Sequence, residues 1–263
     1  MFKRCLIPVL FLKNGWMVRS QKFNEHQYIG DPVHHVQRMM QWDVDELIVL
    51  DIGTEAFSFE HHRTDYRHKP VNSLLEFLEM IAVNCNLPLT FGGHISSLER
   101  VRECIQHGAD KVSINTALMD RPNLVTDAAR EFGSQAVVAS IDYRTLDRGQ
   151  PRAYVDHGNY DTGSDVVSWA HRAEDLGAGE ILLNAIDLDG KACGYDHATI
   201  NAVADAVSIP VIACGGAGNV FHFLKCFRET RARAVAAGNI FHFTENAYPN
   251  AKIFLRPKLF AIR

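Results

Sequence analysis

One phrase occurs twice in this chain, a little under half its length apart. Gly92-Gly93 follows the apolar run Leu89-Thr90-Phe91, and Gly215-Gly216 follows Val211-Ile212-Ala213. Each pair leads to a further apolar run that ends at an asparagine, Val112 to Asn115 and Val235 to Asn239. A strand–glycine–helix–strand unit repeated in this way predicts a closed sheet built from two similar halves, each with a backbone pocket of phosphate size. Exposed N–H groups of a glycine turn at a helix N-terminus suit a phosphate. One position breaks the symmetry. Asp142 ends the first strand of the second half, and its counterpart in the first half is Phe11.

Eight apolar runs fit strands: Cys5–Leu12, Glu46–Asp51, Leu89–Gly92, Lys111–Ile114, Ala136–Ile141, Glu180–Asn184, Pro210–Ala213 and Ala234–Ala237. They are continuously apolar rather than alternating, as in parallel sheets buried on both faces. Between them Val33–Met40, Val71–Val83, Leu98–His107, Pro122–Phe132, Asp165–Leu176, His197–Val207 and Val220–Arg228 carry apolar residues at helical spacing. Asp31-Pro32 and Ser97 are helix-start signals, and Gly108 and Gly177 are helix-stop signals. The expected fold is one (β/α)8 TIM barrel spanning residues 1–263, a length close to the ~250 residues typical of that fold. An open doubly wound sheet fits the repeat less well. The long connection Arg19–Gly30 has the character of a mobile lid.

A net charge of −4 offers no footprint for nucleic acid or an anionic membrane. No apolar run approaches the ~20 residues that span a bilayer, and Met1-Phe2-Lys3-Arg4 enters the first strand without a cleavage signal, so a cytoplasmic protein is expected. The six cysteines, Cys5, Cys85, Cys104, Cys193, Cys214 and Cys226, lack close pairing and read as reduced core residues. His61, His62, Asp65 and His68 read as a solvated loop; no metal and no cofactor is expected.

The chemistry is expected at the C-terminal ends of the strands. Asp142 is the candidate general acid or base, and Asp51 a candidate for orienting substrate. Gly93, Asn115 and Thr116 flank the first glycine pocket, with His94 restricting it. Asp189, Gly190, Gly216, Gly238 and Asn239 flank the second, near Asp187 and Lys191. Two such pockets suggest an elongated ligand with a phosphate at each end. At the opposite end Glu46, Asp110, Lys111 and Glu180 read either as a salt-bridged floor or as a ring around an opening.

Several segments resemble one family: Asp45-Glu46-Leu47 through Asp51, Gly108-Ala109-Asp110-Lys111-Val112-Ser113-Ile114-Asn115, Ser140-Ile141-Asp142, Gly177-Ala178-Gly179-Glu180, Asp187-Leu188-Asp189-Gly190, Gly215-Gly216-Ala217-Gly218 and Phe241-His242-Phe243. Together they look like the cyclase subunit, HisF, of imidazole glycerol phosphate synthase. The resemblance implies a barrel docked by its floor onto a HisH-like glutaminase, with ammonia passing through the barrel to a phosphorylated small molecule at the top. It implies that Glu46, Lys111 and Glu180 are three of four gate residues and that Asp110 lies at the glutaminase interface. It makes Asp142 one of two catalytic aspartates and puts Gly93, Asn115, Thr116, Asp189, Gly190, Gly216, Gly238 and Asn239 at phosphate positions.

The departures define a branch. Phe11 replaces the other aspartate, Cys5 the gate arginine, Arg19 a lysine and His94 a glycine, and the loop after strand two is longer. Pro8-Val9-Leu10-Phe11-Leu12 and the stretch from Lys22-Phe23 to Asp31-Pro32 look like paralogues from surface-polysaccharide clusters. The resemblance therefore implies ammonia supply, with a glutaminase and a separate sugar amidotransferase, for an acetamidino sugar. A competent cyclase of histidine biosynthesis and a non-catalytic scaffold for the glutaminase are the alternatives.

Overall fold

A computed structural model describes residues 4–53, 73–84, 87–145, 149–259 and 262–263. In chain order the first half contains β1 (Cys5–Lys13), β2 (Trp16–Gln21), β3 (Glu25–Gly30), α1 (Pro32–Gln41), β4 (Leu47–Asp51), α2 (Leu74–Asn84), β5 (Leu89–Gly92), α3 (Leu98–Gln106), β6 (Lys111–Ile114), α4 (Ala117–Asp120) and α5 (Asn123–Phe132). The second half continues with β7 (Val137–Thr145), β8 (Pro151–Val155), β9 (Tyr160–Asp165), α6 (Val166–Asp175), β10 (Glu180–Ala185), α7 (His197–Ala206), β11 (Val211–Cys214), α8 (Val220–Glu229), β12 (Ala234–Ala237) and α9 (Ala247–Leu255). The strands β1, β4, β5, β6, β7, β10, β11 and β12 pair in parallel in that order, and β12 returns to β1. This is the (β/α)8 TIM barrel that the apolar runs predict. His61, His62, Asp65, His68 and Cys85 lie outside the described residues.

Alternation along β1 sorts the core into two layers, because successive side chains of a strand point to opposite faces. Leu6, Leu10 and Leu12 pack outward among the helices, while Cys5, Ile7, Val9 and Phe11 point into the lumen. There they meet Ile48, Val138, Leu182, Ile212, Cys214, Ala234 and Ala236. Both layers are largely apolar, and by the same alternation the buried hydroxyls of Thr90, Ser113 and Ser140 fall on the lumen side. The helix starts follow the same logic. Asp31 accepts from the Val33 N–H at 2.7 Å with Pro32 in the first turn, and Ser97 accepts from the Arg100 N–H at 3.2 Å. Gly108 and Gly177 end their helices at φ of 104° and 105°, a region open to glycine at little cost.

Two antiparallel hairpins interrupt the alternation, and both grow from the first strand of a half. The segment Arg19–Gly30, expected as a lid, belongs to the paired hairpin β2–β3. Its entry, Asn14-Gly15, sits at φ of 52° and 81°, as a tight two-residue hairpin turn requires. The second hairpin, β8–β9, was not expected. It extends β7 past the predicted end at Ile141, so Asp142 lies within the strand opposite Tyr154 of β8 and Asn184 of β10.

Among the cysteines, Cys5, Cys104, Cys214 and Cys226 are buried as expected, but Cys193 is exposed in the loop after β10 and does not belong to the core. No described helix is long and apolar enough to cross a membrane.

Candidate functional site

The C-terminal ends of the strands carry three adjoining cavities. The first, of about 360 Å³, is lined by Asp51, Gly93, His94, Asn115, Thr116 and Arg121 among others. The second glycine pair borders a cavity of about 290 Å³ with Arg19, Asp189, Gly190, Gly216, Gly238 and Asn239. Both predicted groupings are therefore brought together, with Asp51 joining the first and Arg19 the second. Close backbone approach demands glycine at each. A Cβ at Gly93 (φ 108°) would collide with the Asp51 carbonyl, and one at Gly216 (φ 97°) with the Gly194 carbonyl.

Between these cavities lies a chamber of about 290 Å³, lined by Phe11, Lys13, Ser20, Phe23, Asn24, His26, Asp142, His157, Asn159 and Asn184 with Leu50 and Ile52. Leu50, Ile52 and His157 also line the first cavity, and Phe11 also lines the second. Asp142 forms the polar floor of the chamber. Burial pushes its carboxyl up to about 7, Asn184 offsets part of that by hydrogen bonding, and the charge of Asp189 adds to it. Asn115 serves this group as well as the first cavity, since its amide donates to the Asp142 carboxylate at 3.2 Å and to the Ser140 carbonyl at 3.0 Å. Near pH 7 such a carboxyl can both give and take a proton.

Phe11 faces the same chamber as an apolar ring. Space for it comes from Gly238, where a Cβ would stand 3.0 Å from the Phe11 ring.

Asp189 acts as a strut. Its carboxylate accepts from the Ser20 hydroxyl at 2.6 Å and the Phe23 N–H at 3.4 Å, and its carbonyl accepts from the Lys22 N–H at 3.1 Å. It pins the first hairpin over the mouth. Asn239 adds a bond to the Ser20 carbonyl at 2.8 Å. The second hairpin is held where the Asp156 N–H donates to Thr116 at 3.2 Å. A Cβ at Gly158 would run into Ile186 and touch Phe23, so the hairpin tips lie against each other. Asp187 holds the base of this hairpin through Arg144 and the Thr145 N–H. His94, at φ 56°, places its ring 3.7 Å from Asp51 at the rim of the first cavity. Burial raises the pKa of Asp51, and the Gly53 N–H and His94 partly oppose this.

At the other end of the barrel, Lys111 reaches Glu180 at 2.7 Å and Glu46 at 3.4 Å. Burial works against its charge, but the two carboxylates outweigh burial and hold its pKa above the ordinary lysine value. Cys5 is buried at this end, where burial and then Glu46 and Asp45 push its thiol up to about 11. Asp110 is exposed and accepts from the Leu89 N–H at 2.8 Å. The expected ring is thus a Glu–Lys–Glu chain, with Arg263 at 3.7 Å from Glu46.

The sequence model for the family described as "Histidine biosynthesis protein" matches residues 5–247. The imidazole glycerol phosphate synthase subunit HisF of Hydrogenobaculum sp. is 38% identical over 263 residues, all of both chains. That of Chloroherpeton thalassium is 39% identical over the same full length. The chain belongs to the HisF family. Within it, a Pseudomonas aeruginosa protein with the provisional name imidazole glycerol phosphate synthase subunit hisF2 is 38% identical over 243 residues, 92% of each chain.

For a HisF-family barrel the sequence reading missed Lys13, His26, His157 and Asn184 in the middle chamber. Asn184 pairs with Asp142 across β10 and β7 and is 3% exposed. A polar residue ending an otherwise apolar strand was the available signal. Lys13 and His26 meet only because the first hairpin folds back, and Asn14-Gly15 was the signal for that.

Proposed function

We propose that this barrel conducts ammonia from a HisH-like glutaminase at its floor to its mouth, for amidination of a nucleotide sugar by a separate amidotransferase in surface-polysaccharide synthesis. On this reading its own cyclase chemistry is lost. The observation that carries it is Phe11, an apolar ring lining the chamber whose opposite polar group is Asp142. Ring closure with proton transfer on both sides needs a second positioned acid or base, worth roughly 10²–10⁴-fold in rate. The lumen below Phe11 supports the transport half. Its largely apolar lining favours neutral ammonia over ammonium, whose burial without a partner is costly. The Glu46–Lys111–Glu180 chain is the polar entrance in this proposal, and Asp110 is the outward-facing group for a partner. The glycine cavities take phosphate groups of a small molecule, with Gly93, Asn115 and Thr116 at one end and Gly190, Gly216, Gly238 and Asn239 at the other.

A second reading, a competent cyclase with Asp142 as its proton shuttle, draws on the full-length identity to HisF subunits. Expression in a histidine auxotroph lacking its cyclase separates the two. No growth is expected, and growth overturns the loss of cyclase activity. The conduction step has its own test in the assembled complex. Ala236→Phe fills the lumen from β12, where Ala236 is fully buried. Glutamine-dependent amidination is expected to fall about tenfold, while glutamine hydrolysis and amidination from added ammonia stay within about twofold. Over-packing of ~1–3 kcal/mol leaves the fold standing. An unchanged ratio of glutamine-dependent to ammonia-dependent product rules out passage through the lumen and favours a scaffold.

A further inference from the structure

The two hairpins bring an unassigned group of basic side chains to the middle chamber. Lys13 arrives from the end of β1, His26 from β3 and His157 from the tip between β8 and β9. The Lys13 ammonium lies 3.2 Å from His26 Nδ1. An ammonium has only donors, so Nδ1 accepts and the proton of the neutral ring is on Nε2, which remains a donor. Asn24, Asn159 and Asn184 add amide donors to the same lining.

We propose that this chamber binds an oxyanion, the phosphate or carboxylate of a small molecule, between Lys13, His26 and His157. It is a third anion site, midway between the two glycine cavities. Three observations carry it. First, basic groups from three separate segments converge on one cavity, two of them 3.2 Å apart. Burial, then Lys13, then His157 lower the pKa of His26, and a bound anion would act in the opposite direction. Second, Phe23 and His157 adopt φ of 61° and 56° at the hairpin tips. Left-handed backbone at non-glycine residues is uncommon and costs energy that the surrounding structure must offset. The contact between the tips and the Asp189 strut provide that support and hold the roof over the chamber. Third, the carboxylates nearby are already engaged. Asp142 is tied to Asn115 and Asn184, and Asp51, which lines the first cavity beside His157, accepts from the Gly53 N–H at 3.0 Å. The charge of His157 does reach the Asp51 carboxyl, as the least of the influences on it, and no ion pair joins either carboxylate to Lys13 or His26 among the described residues.

This inference goes beyond the ammonia reading and does not depend on it, because anion binding is measured without glutamine, ammonia or a partner. The test is histidine-resolved NMR of the full chain, with His26→Gln and His157→Gln used to assign the two rings. Inorganic phosphate and malonate are the probes. Saturable shifts of both rings are expected, with the His26 apparent pKa rising by about one unit as the anion favours the protonated ring. Response to phosphate alone assigns a phosphate, and response to malonate alone assigns a carboxylate. Lys13→Gln should weaken binding at least fivefold. Phosphate that shifts the Gly93 and Gly216 amides but neither histidine overturns the proposal, as does the absence of any shift. An unchanged affinity in folded Lys13→Gln overturns it too. If that variant does not fold, the two ring signals in the unaltered chain still decide.

Discussion

Asp142→Asn is expected to stabilise the chain by about 4 kcal/mol at pH 8 and by less than about 1 kcal/mol at pH 4. The reasoning is linkage. Burial moves this carboxyl from 3.8 in the unfolded chain to about 7 in the folded one. Below the lower value both states hold the proton, and the group contributes no pH-dependent difference. As pH rises between the two values the unfolded chain loses its proton while the folded chain keeps it. Each pH unit then costs the fold about 1.4 kcal/mol. Above the folded value the loss is complete. Asparagine keeps the shape without the titration, and the amides of Asn115 and Asn184 reorient to meet it. Urea unfolding at pH 4, 6 and 8 reads the difference directly. A gain of equal size at all three pH values would sink the argument. A residue that weakens its own fold at neutral pH fits a functional group, since active groups commonly trade stability for chemistry.

Asp45→Ala acts at the other end of the barrel and in the opposite direction. Asp45 and Lys252 form an ion pair at 2.6 Å, with side chains 8% and 7% exposed. The Lys252 ammonium also donates to the Arg263 carbonyl, and the Tyr248 hydroxyl accepts from the Asp45 N–H at 2.9 Å while donating to the Leu6 carbonyl at 3.0 Å. Removing the carboxylate leaves a buried ammonium without its counter-charge. The expected cost is about 3–5 kcal/mol, or a fall in melting temperature of roughly 10 °C for a chain of this size. Replacing both partners, as in Asp45→Ala with Lys252→Met, should recover more than half of the loss, because the buried charge goes with its partner. A double variant no better than Asp45→Ala alone would mean that packing of α9, not the pair, carries the effect.

The barrel strands were legible because burial on both faces leaves a mark that needs no context. Leu89–Gly92, Lys111–Ile114 and Ala234–Ala237 have the same limits in sequence and structure. The hairpins were less so. Strand β3, Glu25–Gly30, has no fully buried residue, and its pairing partner lies on the far side of a turn. Such strands are specified by turn residues and register rather than by apolar content. In the site, the glycine cavities were visible because a backbone that passes close to another backbone requires glycine. The basic group of the middle chamber was not, since Lys13 and His26 meet across a hairpin and His157 joins them from the other half of the barrel. Asp189 also carries a structural role that the sequence hides for a related reason. Besides lining the second cavity it bonds Ser20 and Phe23, which belong to the opposite half of the sequence.

The fit of Phe11 against Gly238 constrains how residue 11 can be exchanged. The ring and the missing side chain occupy one volume between β1 and the turn after β12. Shortening residue 11 to aspartate empties that volume and leaves a carboxylate beside a hole, without a wall to aim it. Enlarging residue 238 first drives a methyl group into the ring. A single exchange at residue 11 is therefore opposed by the packing of this corner, whatever the chain's metabolism asks for.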